Sequence, residues 1–164
     1  MPGSMGGHNW QPMSYSPKTG LVYIPAHEIG GLYQTDPAYT PRAIGPNVGI
    51  DINGLSLPDD AAVKAAVMQS IKGYLLAWDP IAQKAAWRAP NPGFLNGGVL
   101  STAGNLVFQG DMDGRFNAYD ARSGRKLWSF DAQSTILAAP ISFSVKGRQY
   151  ISVVVGFGGA IGTF

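Results

Sequence analysis

Ala118-Tyr119-Asp120-Ala121-Arg122-Ser123-Gly124-Arg125-Lys126-Leu127-Trp128 is the stretch that decides the fold, because its pattern occurs twice in the chain. Ala77, Asp79 and Trp87 precede its alanine, aspartate and tryptophan by 41 residues in each case. The first copy differs at the glycine position, which Gln83 occupies. A period of about 40 residues predicts similar small units arranged one after another, as in propellers.

Two weaker echoes support the repeat and reveal an insertion. Pro12–Lys18 resembles Pro140–Lys146 at an offset of 128 residues, and Gly20–Tyr23 resembles Asn105–Phe108 at an offset of 85. These offsets agree with one another only if the first unit contains about 44 additional residues between Ala26 and Lys72.

The second unit has the pattern of a small antiparallel sheet. Leu106–Gln109 is a short apolar strand, Asp113-Gly114 is a favoured hairpin turn, and Arg115–Tyr119 alternates polar and apolar residues. Ser123-Gly124 closes the next turn, and Lys126–Phe130 forms a further strand. A single sheet of this size cannot bury both faces, so neighbouring units must stack.

The fold class predicted is therefore all-β, with about two four-stranded antiparallel blades and part of a third. Residues 1–26 and 72–93 form the first blade around an insertion at 27–71, residues 94–135 the second, and residues 136–164 the partial blade. The insertion is rich in Gly, Pro, Asn and Asp, except that Asp59–Gln69 begins with a capping residue and predicts one short helix.

Composition excludes several kinds of function. Hydrophobic residues make up 45% of the chain and charged residues 13%, which is typical of an ordered protein. The net charge is +2 and no long basic run occurs, so nucleic-acid and anionic-membrane binding receive no support. The absence of cysteine excludes disulfides and Cys-based zinc or haem sites within these residues, and no apolar stretch is long enough to span a membrane.

The repeat and three further segments resemble a known family. The spacing Ala-x-Asp-x-x-x-Gly-x-x-x-Trp resembles the tryptophan-docking motif of dehydrogenases that use pyrroloquinoline quinone (PQQ). Gly6–Tyr15, Phe94–Gly98 and Gly156–Ala160 resemble, in this order, the C-terminal part of quinohaemoprotein alcohol dehydrogenases. The resemblance implies a fragment of an eight-bladed β-propeller in which each indole packs between adjacent blades.

The resemblance also implies an activity and a set of cofactors. Members of the family are periplasmic oxidoreductases that convert alcohols to aldehydes with PQQ as the electron acceptor, assisted by calcium or, in some relatives, a lanthanide. Electrons pass to a cytochrome c or to a fused C-terminal haem c domain. The resemblance implies that the catalytic aspartate and the metal ligands lie upstream, so we expect no catalytic residue and no metal ligand here, and an inactive fragment.

Four residues are candidates for PQQ binding by this resemblance. Asn9 matches an asparagine that hydrogen-bonds the cofactor, Trp10 adjoins it, and Asn96 keeps the Asn-Gly-Gly motif. Ala160 matches a residue whose backbone approaches the quinone. Leu95 departs from the family, which usually has tryptophan there and thus an aromatic wall.

Each candidate also has a purely structural interpretation. Asn9 is a common turn residue, and tryptophans such as Trp10, Trp87 and Trp128 commonly serve packing. The aspartates of the second unit lack the spacing of a calcium-binding loop, and His8 and His27 lack acidic or cysteine partners at ligand spacing.

Two other kinds of protein fit the repeat. One is a non-enzymatic propeller scaffold of the type found in the lipoprotein that assists outer-membrane protein assembly. The other is a self-associating β-repeat module. The segments Gly6–Tyr15 and Gly156–Ala160 favour the dehydrogenase over the scaffold, because a scaffold has no need of them.

Overall fold

The computed structural model describes residues 3, 5–31, 33–45, 47–51 and 59–157, and in them it forms two four-stranded antiparallel sheets and a hairpin. The first sheet consists of β1 (Ser14–Ser16), β2 (Leu21–Glu28), β3 (Lys72–Asp79) and β4 (Lys84–Asn91). The second consists of β5 (Val99–Ser101), β6 (Leu106–Gly110), β7 (Arg115–Asp120) and β8 (Lys126–Asp131). The hairpin pairs β9 (Ile141–Val145) with β10 (Arg148–Ser152). The prediction of an all-β partial propeller is confirmed.

The two four-stranded sheets share one plan down to a local irregularity. In each sheet the strands are paired in chain order. The third and fourth strands shift register between Ala77 and Trp78 in the first sheet, and between Ala118 and Tyr119 in the second. A β-bulge re-aims the side chains that follow it, so the repeated sequence encodes a repeated geometry.

The core of the described residues lies in the seam where the two sheets face each other. Buried side chains of both sheets form one apolar cluster: Leu21, Tyr23, Leu75, Ala77, Ala89, Val99, Val107, Tyr119 and Ala121. Successive side chains of a strand point to opposite faces of the sheet. Each sheet therefore contributes the side chains of one face to this core. Stacking thus buries what a single sheet would expose.

Trp87 joins the two sheets. Its ring packs on the apolar cluster and lies 5.7 Å from the ring of Tyr23, and its Nε1 donates to the carbonyl of Ala121 at 3.1 Å. A Cβ added to Gly124 would lie 2.5 Å from Cε3 of Trp87. The tryptophan of one repeat therefore packs directly on the glycine turn of the next.

The glycine position of the motif is set by backbone conformation as well as by space. Gly124 has a φ of 72°, in the left-handed region that glycine tolerates best. Gln83 occupies the equivalent turn of the first sheet with a φ of 52°. The sequence difference at this position is thus absorbed as backbone strain rather than as a change of turn.

The insertion connects β2 to β3 and carries the expected helix. Strand β2 continues through His27 and Glu28, so the excursion begins slightly later than the sequence pattern indicated. Helix α1 (Ala61–Ser70) is capped by Asp60, whose carboxylate accepts from the Val63 N–H at 2.9 Å. The helix has no buried residue.

The second face of the second sheet borders a large apolar groove. Its volume is about 860 Å³, and it lies between the second sheet and residues 151–155, which end β10 and follow it. Trp128, the second motif tryptophan, lines it and is 49% exposed, whereas Trp87 is half-buried in the seam. Phe130 stacks beside Trp128 and continues the apolar surface, whereas the buried ring of Phe116 meets Trp128 edge-on.

Candidate functional site

One end of the two sheets gathers the segments that the sequence singled out. The β2–β3 connection and the β6–β7 turn lie at this end. The N-terminal segment runs beside β2, because Gly3 N–H donates to the Ile29 carbonyl at 2.8 Å and His27 N–H donates to the Gly7 carbonyl at 3.0 Å. His8 Nδ1 lies 2.7 Å from the Pro25 carbonyl. Both histidines therefore anchor this segment.

Asn9 and Trp10 lie in the turn that ends this segment. Asn9 Oδ1 accepts from the Trp10 N–H at 2.9 Å, and its Nδ2 donates to the Met5 carbonyl at 3.2 Å. The Asn9 side chain is partly buried, whereas Trp10 is 52% exposed. The turn role expected of an asparagine is present, and an aromatic face is left available beside it.

The Asn-Gly-Gly motif packs against the end of β6 and against Ile136. Gly97 N–H donates to the Gly110 carbonyl at 2.9 Å, and a Cβ on Gly97 would lie 2.7 Å from the Ile136 carbonyl oxygen. A Cβ on Gly98 would lie 2.8 Å from Pro12 Cδ. Both positions require glycine, because backbone carbonyl oxygens crowd Gly97 whereas the Pro12 ring and Ala139 crowd Gly98.

The Asn9–Pro12 and Asn96–Gly98 segments are neighbours. Val99 N–H donates to the Pro12 carbonyl at 2.9 Å. Two residues further along each segment, the Ser14 and Ser101 hydroxyls lie 2.7 Å apart. The first strands of the two sheets, β1 and β5, are thus neighbours. The structure brings together two of the three segments that carry the resemblance. Ala160, in the third, lies outside the described residues.

Two buried carboxamides at this end have no hydrogen-bond partner among the described residues. The side chains of Asn96 and Gln11 are each 2% exposed, and neither the oxygen nor the nitrogen of either amide is paired. A buried polar group without a partner costs roughly 1–3 kcal/mol. Unpartnered buried carboxamides are suited to bind a ligand with polar atoms. Sequence reasoning missed Gln11, since a lone glutamine before Pro-Met-Ser carries no signal of its own.

A buried chain of hydrogen bonds crosses the seam and ends on this motif. Tyr119 OH donates to Asn91 Oδ1 at 3.0 Å, Asn91 Nδ2 donates to Gln109 Oε1 at 2.7 Å, and Gln109 Nε2 donates to the Gly97 carbonyl at 2.9 Å. Burial raises the pKa of Tyr119, with a smaller contribution from the charge of Asp111. The hydroxyl therefore stays protonated and remains a donor. No sequence pattern predicted this series of hydrogen bonds.

The β6–β7 turn is organised by a buried carboxylate. Asp111 accepts hydrogen bonds from the backbone N–H groups of Asp113 and Arg115 and from Asn117 Nδ2, at 2.9 to 3.1 Å. Asn117 in turn accepts from the Ser129 hydroxyl at 2.8 Å. This pattern explains the aspartates of the second unit as turn residues. The described residues contain no group of three or more His, Cys, Asp or Glu side chains that could hold a metal ion.

A cavity of about 550 Å³ opens beside the N-terminal segment at the same end. Gly7, His27, Glu28, Ser70 and Tyr74 line it. The Tyr74 hydroxyl donates to Glu28 at 3.3 Å. Burial, with the charge of Glu28, raises the pKa of Tyr74.

No helix in the described part of the chain is long and apolar enough to cross a membrane.

Comparison with known proteins identifies related dehydrogenases. Residues 76–151 match the model of the β-propeller domain of glucose, ethanol and alcohol dehydrogenases that use PQQ. The chain is 47% identical, over 97% of its length, to the dehydrogenase subunit of the quinone alcohol dehydrogenase of Acetobacter aceti, and covers 22% of that protein.

Solved structures agree with the sequence comparison. The quinohemoprotein alcohol dehydrogenase ADHIIG of Pseudomonas putida superposes with a TM-score of 0.85 at 45% identity, over 95% of this chain and 23% of that one. The quinohemoprotein alcohol dehydrogenase of Comamonas testosteroni gives a TM-score of 0.78 at 41% identity, over 94% of this chain and 23% of that one. The chain thus spans less than a quarter of the length of these relatives.

Proposed function

We propose that this chain, a member of the family of PQQ-dependent alcohol dehydrogenases, supplies two adjacent blades and part of a third to a propeller that oxidises alcohols to aldehydes. The observation that carries the proposal is the pair of unpartnered buried carboxamides beside the glycine motif, at the end where the resemblance has the cofactor. PQQ bears carboxylates and two quinone oxygens, which are acceptors that carboxamide N–H groups can bind. The residues present therefore fit the group.

We assign roles to the four candidate residues within this proposal. Asn9 and Asn96 donate side-chain hydrogen bonds to polar atoms of PQQ, and the exposed face of Trp10 covers part of the planar ring system. The backbone of Ala160 approaches the quinone. When bound, PQQ accepts the two electrons that the alcohol loses, whereas this chain binds and orients it.

The remaining components of the enzyme are proposed outside this chain. Calcium, held by residues elsewhere in the propeller, would act as a Lewis acid, and the base that removes the alcohol proton would also lie elsewhere. The names of the solved relatives as quinohemoproteins support a haem c or a cytochrome c as the next electron carrier. A periplasmic location completes the proposal and follows from the resemblance alone.

Reconstitution tests this function. The protein that carries this chain together with the remaining blades is prepared without cofactor and titrated with PQQ in calcium buffer, and the quinone absorbance is followed. We expect a saturable quinone spectrum and reduction of an artificial electron acceptor on addition of ethanol. A protein that gains no quinone spectrum would contradict the proposed dehydrogenase function.

Asn96→Leu gives a sharper version of the same test, because leucine has the branched shape of asparagine without its polar atoms. Replacing an unpartnered buried amide by an apolar group is neutral or stabilising for the fold. We therefore expect Asn96→Leu to keep or raise the unfolding midpoint and to weaken PQQ binding about tenfold. Asn117→Leu is the matched control, because Asn117 is similarly buried but is hydrogen-bonded to Asp111 and Ser129. It should lower stability without a specific loss of PQQ affinity.

A further inference from the structure

We propose that Tyr119, Asn91 and Gln109 are positioning residues that hold the Asn96-Gly97 peptide in place for the cofactor. The inference rests on the proposed function, because it concerns how Asn96 is oriented toward PQQ. None of the three side chains is expected to touch the cofactor. Their effect passes through the Gly97 carbonyl.

The motif itself has little internal stiffness. Asn96 is followed by two glycines, which have the broadest backbone freedom of all residues. The backbone around Asn96 therefore keeps one conformation only if outside groups fix it. Two contacts do so: Gly97 N–H donates to the Gly110 carbonyl, and Gly97 C=O accepts from Gln109 Nε2, each at 2.9 Å.

The second of these contacts depends on the other sheet. Gln109 lies on β6 of the second sheet, and its Oε1 accepts from Asn91, which ends β4 of the first sheet. Asn91 is itself oriented by the hydroxyl of Tyr119, on β7 of the second sheet. The chain of bonds therefore crosses the seam twice and couples the placement of the first sheet to the Asn96-Gly97 peptide.

Burial makes this series of hydrogen bonds rigid. Gln109 is fully buried, and Tyr119 and Asn91 are also buried, so water cannot replace a lost partner at low cost. Without the Tyr119 hydroxyl, the Asn91 amide is free to rotate. The hydrogen bond from Asn91 Nδ2 then no longer holds Gln109 Oε1 in one position. The expected consequence is a Gly97 carbonyl that samples several orientations.

The chain offers a matched control for the test. Tyr23 is as buried as Tyr119, and its hydroxyl also bridges the two sheets, by donating to the Ala121 carbonyl at 2.9 Å. That bond lies at the opposite end of the seam, beside the β7–β8 turn. Tyr23→Phe and Tyr119→Phe thus each delete one buried hydroxyl that bridges the two sheets, at opposite ends of the seam. The Tyr23 hydroxyl also lies 2.8 Å from the Thr19 hydroxyl, so Tyr23→Phe removes at least as many hydrogen bonds as Tyr119→Phe.

The experiment compares these two variants in the complete PQQ-binding protein. We expect both to lower the unfolding midpoint, and only Tyr119→Phe to weaken equilibrium PQQ binding, by about threefold to tenfold. Hydrogen exchange of the Gly97 amide should accelerate in Tyr119→Phe and stay unchanged in Tyr23→Phe. Gln109→Met, which keeps the side-chain length but removes both hydrogen bonds, should weaken binding at least as much.

A double-mutant cycle separates positioning from a general loss of stability. If the chain acts through Asn96, Tyr119→Phe should have no further effect on PQQ affinity in the Asn96→Leu background. Equal PQQ affinities for Tyr119→Phe and Tyr23→Phe, or additive losses in the double variant, would overturn the positioning role and leave the proposed function intact. A parent protein that does not bind PQQ would overturn both.

Discussion

Gly124→Ala is the substitution that tests the packing of the two sheets most sharply. Two separate costs follow from the structure. The left-handed backbone at φ 72° costs alanine about 1–2 kcal/mol, and the new Cβ would meet Trp87 Cε3 at 2.5 Å and Cδ2 at 2.7 Å. Crowding of a well-packed core costs typically about 1–3 kcal/mol. The expected total is therefore about 2–5 kcal/mol.

Gly20→Ala supplies the control for the backbone term. Gly20 has a φ of 71°, and a Cβ there would meet no atom within 4 Å. It should cost only the backbone term of about 1–2 kcal/mol. The difference between the two variants isolates the contact with Trp87.

Urea unfolding followed by circular dichroism measures these differences. Gly124→Ala should be more destabilising than Gly20→Ala, and Trp87→Ala should relieve part of the Gly124→Ala penalty in the double variant. Equal effects of the two glycine variants, or strict additivity with Trp87→Ala, would refute the packing of the indole on the glycine turn.

Three further predictions follow from individual residues. Gln83→Gly should raise the thermal unfolding midpoint of the chain, because the residue has a φ of 52° and relief of that strain is worth up to about 1 kcal/mol; an unchanged or lower midpoint would contradict the strain. Hydrogen bonds from the Ser123 hydroxyl and backbone N–H, with help from Arg125, lower the pKa of Asp120 below its ordinary 3.8. The ionised Asp120 carboxylate therefore stabilises the fold above its ordinary pKa, and this contribution is lost as the pH falls through the lowered pKa. Ser123→Ala should thus reduce stability near neutral pH and have little effect in acid, which urea unfolding at several pH values can check. Trp128, Phe130 and Phe143 expose apolar rings, so the chain expressed by itself should self-associate in light scattering, and Phe130→Lys should reduce the apparent mass.

The architecture was predictable because the repeat constrains it at several independent positions. The spacing from Ala118 to Trp128 fixed a strand, a tight turn and a second strand, and the offset to Ala77 fixed the neighbouring unit. The bulge after Ala77 and after Ala118 shows that even local irregularities repeat. What the pattern could not predict was the left-handed conformation of Gln83, since a glutamine rarely adopts it.

The candidate site was predictable only where a motif carried it. Asn9 and Asn96 came from the resemblance, and the structure brings their segments together at one end. Gln11 and the chain from Tyr119 to Gln109 arise from contacts between residues far apart in sequence. Buried hydrogen bonds of this kind depend on how two sheets face each other, which no local pattern encodes.

A crystal structure of the complete protein with PQQ bound tests the central claim most directly. We predict that the cofactor lies at the end formed by Asn9 and Asn96, with a polar atom about 3 Å from the Asn96 side-chain nitrogen. PQQ located at the opposite end, beside the β3–β4 and β7–β8 turns, or a complete protein that crystallises without binding PQQ at saturating concentration, would contradict it.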